Sequence, residues 1–483
     1  MTDPAHGRRW LILAVLGVAQ LMVVLDATIV NIALPTAQRD LGFSDADRQW
    51  VITAYALAFG SLLLLGGRIA DLFGRKTTFL TGLAGFAIAS ALGGAAPTFE
   101  ILVAARALQG IFGALLAPAA LSLLTTTFTD PSERGKAFGI FGALAGGGGG
   151  IGLLLGGVLT EHLSWRWCLY VNLIFAAAAF AGGVAFLSRQ RPAHRPTLDI
   201  PGVITVSAGL FGLVYGFANA ETEGWSDPSC WGFLAAGVLL IAVFVGLQTR
   251  VAHPLLPLRV ILDRGRAGSY IAVAVSGAGI FGVSLFLTYY LQAVRGYSPV
   301  ETGLAFLPQI GGTMLAATTG NAVLVRRFGA RPLVTLGMVL SALGMAWMTL
   351  LEADSGYAAH VLPPLVTLGI GFGLIIAPAM SSATSGVDPA DAGVASATVN
   401  TSQQVGGSIG TALLNTLAAS AASDYLTGRQ PTAEAVIQSQ LASFHTAFWW
   451  TAAFFAIGAL TCGLLLPSGR PIHNPDAEPA LVH

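Results

Sequence analysis

One acidic and one basic side chain lie inside apolar segments that are long enough to cross a bilayer. Asp26 lies deep in the first such segment, and Arg106 lies in a later one. A charged group in a bilayer is costly unless it is paired, hydrated or neutralised. Because a low dielectric favours the neutral form of a carboxyl group, Asp26 could bind and release a proton, with Arg106 tuning its proton affinity. A purely structural clamp between helices is the alternative for both residues.

The composition indicates that most of the chain lies in a membrane. The 483 residues are 54% hydrophobic and 10% charged, and the mean hydropathy is +0.72. If the N-terminus is cytoplasmic, most of the 24 Lys and Arg residues fall on the cytoplasmic side, so the charge bias predicts that both termini lie inside. A helix needs about 20 residues to cross a bilayer. Fourteen apolar runs of that length begin near Trp10, Trp50, Thr77, Glu100, Lys136, Trp167, Ile200, Cys230, Ser269, Thr302, Pro332, Ala358, Ala390 and Ser443.

The chain contains an internal duplication. Residues 110–135 and 369–393 share several glycines, an Ala-Pro-Ala triplet and an Asp-Pro pair. Paired halves of this kind are typical of membrane transporters. Two basic stretches divide the predicted spans into six, two and six. We therefore predict an all-α integral membrane protein with an N-terminal six-helix bundle at 1–190, a linker with two inserted helices at 191–266, a C-terminal six-helix bundle at 267–466 and a disordered cytoplasmic tail at 467–483.

The sequence lacks the patterns that most enzymes and ATP-driven pumps need. It has no phosphate-binding loop of the G-x-x-x-x-G-K type, and no nucleophile–base set or metal-ligand cluster is apparent. The three cysteines, Cys168, Cys230 and Cys462, are far apart, which argues against a disulfide framework or a metal site. We therefore expect no cofactor, no metal, no nucleic-acid partner and no enzymatic activity. The loops are also too short for the appended domain that a membrane sensor or scaffold would need.

The segment from Gly67 to Lys76 reads GRIADLFGRK; it is predicted to be the loop after the second span and carries a charged turn. It resembles the signature of the major facilitator superfamily at every defining position. LDATIVNIALP at 25–35, RALQG at 106–110, and WRW at 165–167 with Asn172 resemble the fourteen-spanner drug:proton antiporters of that superfamily. The resemblance covers nearly the whole chain. It implies two six-helix bundles around a central cavity that opens alternately to the two sides of the membrane.

Two positions differ from the pattern of these antiporters. Their fifth span usually carries a proline in a motif associated with antiport, and this chain has Leu153 there. Many relatives carry an arginine where this chain has Gln403, so that positive charge is absent. An uncoupled facilitator of the same fold is therefore an open alternative.

The resemblance also implies that the charged turn acts as a conformational latch. In the resembling family this turn docks across the two bundles and stabilises the outward-facing state, and a carboxylate such as Asp71 can interact with the positive end of a helix. Ordinary positive-inside charge is the alternative; it explains Arg75 and Lys76 but not Asp71. The second half keeps only the sequence FGAR at 328–331. The predicted latch residues are Gly67, Asp71, Gly74, Arg75 and Lys76.

Aromatic and amide side chains within the predicted spans are candidates for a substrate cavity. Aromatic faces suit flat lipophilic solutes, although many membrane aromatics face lipid. Amides avoid lipid, which favours Gln403 and Gln404 in particular. The candidates are Asn31, Trp50, Tyr55, Phe59, Phe281, Phe286, Tyr289, Tyr290, Gln292, Asn400, Gln403 and Gln404.

These features predict a secondary active transporter in the cell (inner or plasma) membrane. It would export small lipophilic compounds, such as drugs or antibiotics, in exchange for protons by alternating access, with Asp26 as the coupling acid. The expected partners are the lipophilic substrate, protons and the lipid bilayer, and the chain is expected to be monomeric. The alternatives are a dedicated natural-product exporter and an uncoupled facilitator of the same fold.

Overall fold

The computed structural model describes residues 4–43, 50–188, 199–222, 225–251, 254–388, 391–430 and 432–468, and every regular element in these ranges is helical. Residues 191–198 and 252–253 of the predicted linker and most of the predicted tail lie outside these ranges. The helices of 13 residues or more are α1 Pro4–Leu41, α2 Trp50–Phe73, α3 Arg75–Gly94, α4 Phe99–Thr127, α5 Pro131–His162, α6 Trp167–Phe186, α7 Ile200–Thr222, α8 Pro228–Gln248, α9 Arg264–Tyr289, α10 Leu307–Thr319, α11 Ala330–Met348, α12 Leu362–Ala383, α13 Ala392–Leu426 and α14 Ala433–Leu465.

Shorter elements connect some of these helices. One short helix, Leu258–Ile261, precedes α9, and two others, Pro299–Ala305 and Val325–Phe328, flank α10. Single turns of the wider π-helix occur at Tyr290–Val294, Gly320–Leu324 and Tyr357–Val361. The chain on either side of α10 is therefore interrupted, which shortens its regular helix to 13 residues.

Twelve helices in the described residues are long and apolar enough to cross a membrane. They include every long helix except α10 and α13. The regular part of α10 is too short, and α13 carries a polar central stretch around Gln403 and Gln404. Hydropathy and length alone therefore support twelve of the fourteen predicted spans.

The two halves of the chain repeat one packing pattern. In the first half, α1 packs on α5, while α2 and α3 pack on α4; in the second, α9 packs on α13, while α10 and α11 pack on α12. The central helices α4 and α12 each contain a buried internal proline, Pro118 and Pro378. The observed pairing agrees with the duplication seen in the sequence.

The two halves meet along two seams. Along one seam, α5 packs on α10 and α12, and along the other, α2 and α4 pack on α13. Glycines allow the close approach: a Cβ on Gly67 of α2 would lie 2.5 Å from the Gly393 carbonyl oxygen of α13, and a Cβ on Gly142 of α5 would lie 2.7 Å from Ala377 Cβ of α12. Small residues at such crossings let helix backbones touch.

The two helices between the halves pack on each other and over the second seam. Contacts join α7 to α8, and α7 also contacts both α2 and α13. The Trp50 ring of α2 lies 6.1 Å from the Tyr215 ring of α7. The inserted pair thus touches both halves of the molecule.

The sequence predicted that the signature segment, Gly67 to Lys76, is a loop, but the structure shows that it is helical except at Gly74. Residues up to Phe73 continue α2, and only Gly74 separates this helix from α3. Gly74 has φ 94°, a left-handed conformation that favours glycine. Arg68 consequently lies within the candidate span Trp50–Phe73, where it is 5% exposed.

Candidate functional site

Four helices of the first half each direct buried polar side chains to one cluster. Asp26 comes from α1, Ser90 from α3, Arg106 and Gln109 from α4, and Asn172 from α6. None of the five residues is more than 1% exposed. Buried polar groups are usually hydrogen-bonded, and these side chains bond to one another. Asn172 Oδ1 has no hydrogen-bond partner among the described residues.

Asp26 accepts hydrogen bonds from three side chains. Arg106 Nη1 lies 2.6 Å from Asp26 Oδ2, and both Gln109 Nε2, at 2.9 Å, and Asn172 Nδ2, at 2.6 Å, donate to Asp26 Oδ1. Gln109 and Asn172 also donate to Ser90 Oγ, at 2.6 and 3.1 Å. Both carboxylate oxygens of Asp26 therefore accept hydrogen bonds, and one of the donors is cationic.

Arg106 has further partners besides Asp26. Its Nε donates to the Val51 carbonyl at 3.1 Å, and its Nη1 donates to Gln109 Oε1 at 2.9 Å. The guanidinium carbon lies 4.5 Å from the centre of the Tyr55 ring. The pair of Asp26 and Arg106 is therefore neutral as a whole and clamps α1, α2 and α4 together.

The cluster explains some residues that the sequence singled out and adds two. The sequence offered Asp26 or backbone carbonyls as partners for Arg106, and the structure shows bonds to Asp26 and to the Val51 carbonyl. Ser90 and Gln109 were not predicted as site residues. Gln109 follows Arg106 by three positions and so shares its helix face, which is the signal that would have identified it.

Asp71 joins α2 to the start of α13 in the other half. Its Oδ1 accepts the backbone N–H of Gly393 at 3.1 Å, and Arg75 Nη2 lies 3.6 Å from the same oxygen. A carboxylate at a helix N-terminus is favoured by the helix dipole. Gly67 lies one helical turn earlier, where α2 touches the Gly393 backbone. The residues Gly67, Asp71 and Arg75 are thus placed together at the contact between the halves.

Lys76 lies elsewhere in the same region. Its Nζ donates to the carbonyls of Val184, at 3.0 Å, and Leu187 at the end of α6. A cation is favourable at a helix C-terminus. Lys76 therefore fastens α3 to α6 within the first half, whereas Asp71 reaches across to the second.

The second half carries a different arrangement at the related position. Gly329, with φ 84°, stands where Gly74 stands in the first half, so Arg326 occupies the place of Asp71. At the seam where α5 packs on α10 and α12, Arg134, near the start of α5, donates to Thr384 Oγ1 at 3.1 Å. Its guanidinium also lies over the Phe138 ring. The end of the molecule that holds Asp71, Arg134 and Thr384 is called the latch end below.

A polar cluster closes the opposite end of the first half. Trp165 Nε1 donates to Asp40 Oδ2 at 3.0 Å, Arg166 forms an ion pair with the same oxygen, and Arg166 Nη2 donates to the Ala96 carbonyl at 3.1 Å. The hydrogen bonds from Arg166 and Trp165 hold the pKa of the Asp40 carboxyl below its usual value. This cluster joins the end of α1 to the loops after α3 and α5.

The predicted cavity residues do not share one environment. Tyr55 and Phe59 are buried and stacked, with ring centres 5.5 Å apart, while Tyr289 is 53% exposed. Phe286 and Tyr290 are buried, Trp50 and Phe281 are exposed, and Asn400, Gln292, Gln403 and Gln404 are partly buried. The side chain of Asn31 lies outside the described part of the chain. The cavity list therefore stays a prediction.

The described residues also bear on metals and cysteines. They contain no group of three or more His, Cys, Asp or Glu side chains that could hold a metal ion. The three cysteines are free and buried.

The sequence model of the Major Facilitator Superfamily matches residues 16–411 of this chain. The chain belongs to the major facilitator superfamily. It is 48% identical to the puromycin resistance protein pur8 of Streptomyces alboniger over 463 residues, 95% of this chain and 92% of that protein. It is 41% identical to the cephamycin export protein CmcT of Amycolatopsis lactamdurans, over 84% of each chain.

A multidrug pump and a solved structure are also similar to this chain. The multidrug efflux pump LfrA of Mycolicibacterium smegmatis is 32% identical, over 85% of this chain and 81% of that protein. The crystal structure of the human organic anion transporter MFSD10 (TETRAN) matches with a TM-score of 0.63 at 15% identity, covering 95% of this chain and all of that one. That likeness concerns the fold alone.

The family membership and the helices together settle the broad class. The chain is a multi-pass membrane protein with the all-helical fold of the superfamily and about twelve candidate membrane helices. Its family and its relatives indicate a transporter rather than an enzyme. The named relatives are antibiotic and drug exporters or resistance proteins.

Proposed function

We propose that this protein exports small lipophilic compounds in exchange for protons by alternating access, with Asp26 as the proton-carrying acid. The observation that supports this role is the buried ion pair of Asp26 with Arg106 at 2.6 Å. Relatives named for puromycin resistance and cephamycin export support antibiotics as the class of substrate.

The charge balance of the cluster supports coupling between protonation and conformation. A proton on Asp26 would leave the buried guanidinium of Arg106 without its counterion, which is strongly unfavourable in a low dielectric. Proton uptake must therefore accompany a rearrangement that gives Arg106 a new partner or water. A group that is charged in one conformation and neutral in another links the proton gradient to that rearrangement.

The complete topology is also part of the proposal. We infer that α10 and α13 cross the membrane as well, because they pack against α12 and α9, which are apolar enough to span. Fourteen crossings place both termini on one side, and the positive-inside rule makes that side cytoplasmic. The latch end would then face the cytoplasm, and its contacts would close this side of the transporter. We propose that the chain acts as a monomer.

An uncoupled facilitator is the second candidate, because α5 runs without interruption from Pro131 to His162, through Leu153. The missing proline of the antiport motif leaves no break in this helix. A dedicated exporter of one natural product would have the same geometry and would differ only in its range of substrates.

Transport into everted membrane vesicles tests coupling directly. An acidic lumen should drive accumulation of puromycin or a cephamycin, and a protonophore should abolish it. The double variant Asp26→Asn with Arg106→Gln keeps the cluster neutral, so it should fold but lose gradient-driven accumulation. Asp40→Asn, which removes an acid outside the cluster, is the matched control and should retain it.

Two outcomes would contradict the proposal. Gradient-driven accumulation that persists in the double variant would exclude Asp26 as the coupling acid. Equilibration of substrate that ignores the gradient in the wild-type protein would favour the facilitator.

A further inference from the structure

The inserted helices and the chain that follows them share an apolar cluster with both halves. Its members are buried to at least 94%, and they come from α2, α7, α8, the segment 254–261 and α13. The cluster consists of Leu64, Val206, Leu210, Phe244, Leu255, Leu256, Val260, Val394, Ala395 and Ala397. It lies beside the latch, because Gly67 and Gly393 belong to the same stretches of α2 and α13.

A buried polar network holds the inserted helices to the segment after them. Asp199, at the start of α7, accepts hydrogen bonds from Gln248 Nε2 at 2.7 Å and from the Leu255 N–H at 3.4 Å. Gln248 Oε1 accepts the Leu256 N–H at 2.9 Å. Asp199 and Gln248 are each 5% exposed, so these bonds are screened from solvent. The segment is thereby fixed relative to α7 and α8.

The segment 254–261 is also bonded to the N-terminal end of α13, which Asp71 contacts. Arg259 Nη2 lies 2.7 Å from Oδ2 of Asp391, which is the residue before α13. Two residues later, the N–H of Gly393 donates to Asp71. The first turn of α13 therefore binds α2 on one side and the segment after the inserted helices on the other.

We propose that α7, α8 and the segment 254–261 form a strap that stabilises the closed latch end. The strap is bonded to the second half at Asp391 and packs on α2 of the first half through the cluster around Leu64. Separation of α2 from α13, which opening of this end requires, would break the apolar cluster as well as the bond of Asp71. This inference rests on the proposed alternating access and assigns a conformational role to the inserted pair.

Spin-label distances in the full chain test the strap without any substrate. Labels on Phe73→Cys, at the exposed end of α2, and Ser385→Cys, in the exposed turn after α12, report the gap between the halves at the latch end. The side chain of Arg259 is 71% exposed, and exposed ion pairs contribute little. Arg259→Gln should therefore raise the ratio of open to closed molecules only about two- to fivefold.

Two comparisons separate the ion pair from a general effect of charge. Asp391→Asn should give the same shift, and the double variant with Arg259→Gln should shift no further than either single variant. Arg250→Gln removes an exposed charge from the same linker and should leave the distances unchanged. A shift for Arg250→Gln as large as that for Arg259→Gln would overturn the role of the pair.

A second pair of variants tests the apolar contact. Leu210→Ala removes a side chain that is 6% exposed within the cluster, whereas Leu239→Ala removes one that is 64% exposed on α8. Leu210→Ala should populate the open state at least as much as Arg259→Gln does, and Leu239→Ala should not. If Leu210→Ala and Arg259→Gln both leave the wild-type distances unchanged, the strap is wrong. These distances are measured without substrate or a proton gradient. If proton-coupled export proved wrong but the strap were right, the variants would still show the predicted changes in distance.

Discussion

Asp26 and Arg106 are separated by 80 positions in the chain, yet Arg106 Nη1 lies 2.6 Å from Asp26 Oδ2 in a cluster that solvent does not reach. Neither residue is available to a substrate in this conformation. Direct competition between a proton and a cationic solute for Asp26 would therefore need a different conformation from this one. The closed pair is better suited to couple the proton to a rearrangement of the first half.

Removal of either charge alone should destabilise the protein. Asp26→Asn leaves a buried guanidinium without a counterion, and Arg106→Gln leaves a buried carboxylate, so each should cost about 3–5 kcal/mol. The double variant should be more stable than either single variant because no charge is left unpaired. Heat or denaturant unfolding of the variants in detergent measures these losses of stability. Additive losses in the double variant would mean that the two side chains do not interact.

The contact of Gly67 with Gly393 should control opening of the latch end. Gly67→Ala would place a Cβ 2.5 Å from the Gly393 carbonyl oxygen and push α2 away from α13. Gly311→Ala is the matched control, because nothing lies within 4 Å of the added Cβ. Distances between spin labels at the latch end should lengthen in the first variant only. Equal distances in both would show that this crossing does not limit closure.

Asp71→Asn should slow turnover more than it weakens substrate binding. An amide oxygen can still accept the Gly393 N–H, but it lacks the charge that favours the N-terminus of α13 and the guanidinium of Arg75. Transport rates measured over a range of substrate concentrations separate the two effects. An unchanged maximal rate would remove Asp71 from the latch.

Leu153→Pro should cost less stability than proline at the neighbouring Leu154. In a helix, proline at position 153 removes the donor to the Gly149 carbonyl. That carbonyl already accepts a hydrogen bond from Thr28 Oγ1 at 3.0 Å, so it would keep a partner. Proline in a helix interior ordinarily costs about 3 kcal/mol. Melting temperatures of the two variants decide this, and equal losses would exclude the compensation by Thr28.

Acid should weaken the cluster around Asp40. Its pKa is lowered in the folded protein, so the ion pair with Arg166 contributes stability above the unfolded pKa of about 3.9. This contribution is lost as the pH falls through the lower pKa that Asp40 has in the folded protein. The wild-type protein should therefore be more stable than Asp40→Asn above about pH 5, and the difference should shrink below about pH 4. A difference in melting temperature that does not change with pH would contradict this.

The sequence predicted the elements of the fold better than their contacts. The length of the apolar runs and the charge bias identify the apolar helices. Hydropathy leaves α10 and α13 ambiguous, because α10 is interrupted and α13 is polar. The signature segment looked like a loop because its charges are dense. Instead, α2 continues through Arg68 and Asp71 to Phe73. Arg68 is buried, and the Asp71 side chain accepts the Gly393 N–H of α13 and pairs with Arg75 of α3.

The site shows the same limit at the level of residues. A lone acid and a lone base within spans must find partners, so their pairing could be anticipated from cost alone. Tyr55 was predicted to line a cavity, and that stays a prediction. Its contact with the guanidinium of Arg106 could not be predicted, because the type of an aromatic residue does not reveal what its ring packs against. The bond of Arg134 to Thr384 joins residues 250 positions apart and has no signal in the sequence.

Proton release on substrate binding is the measurement that tests the central claim most directly. Purified protein in weakly buffered detergent would be mixed with puromycin and related lipophilic compounds, beside the double variant Asp26→Asn with Arg106→Gln and the control Asp40→Asn. Binding would be followed separately by quenching of the aromatic fluorescence. The account predicts that substrate shifts rearranged molecules with protonated Asp26 to the conformation in which Asp26 pairs with Arg106. Proton release is therefore expected from the wild type and from Asp40→Asn but not from the double variant, although all three bind. Binding without proton release in the wild type, or equal release from the double variant, would contradict it.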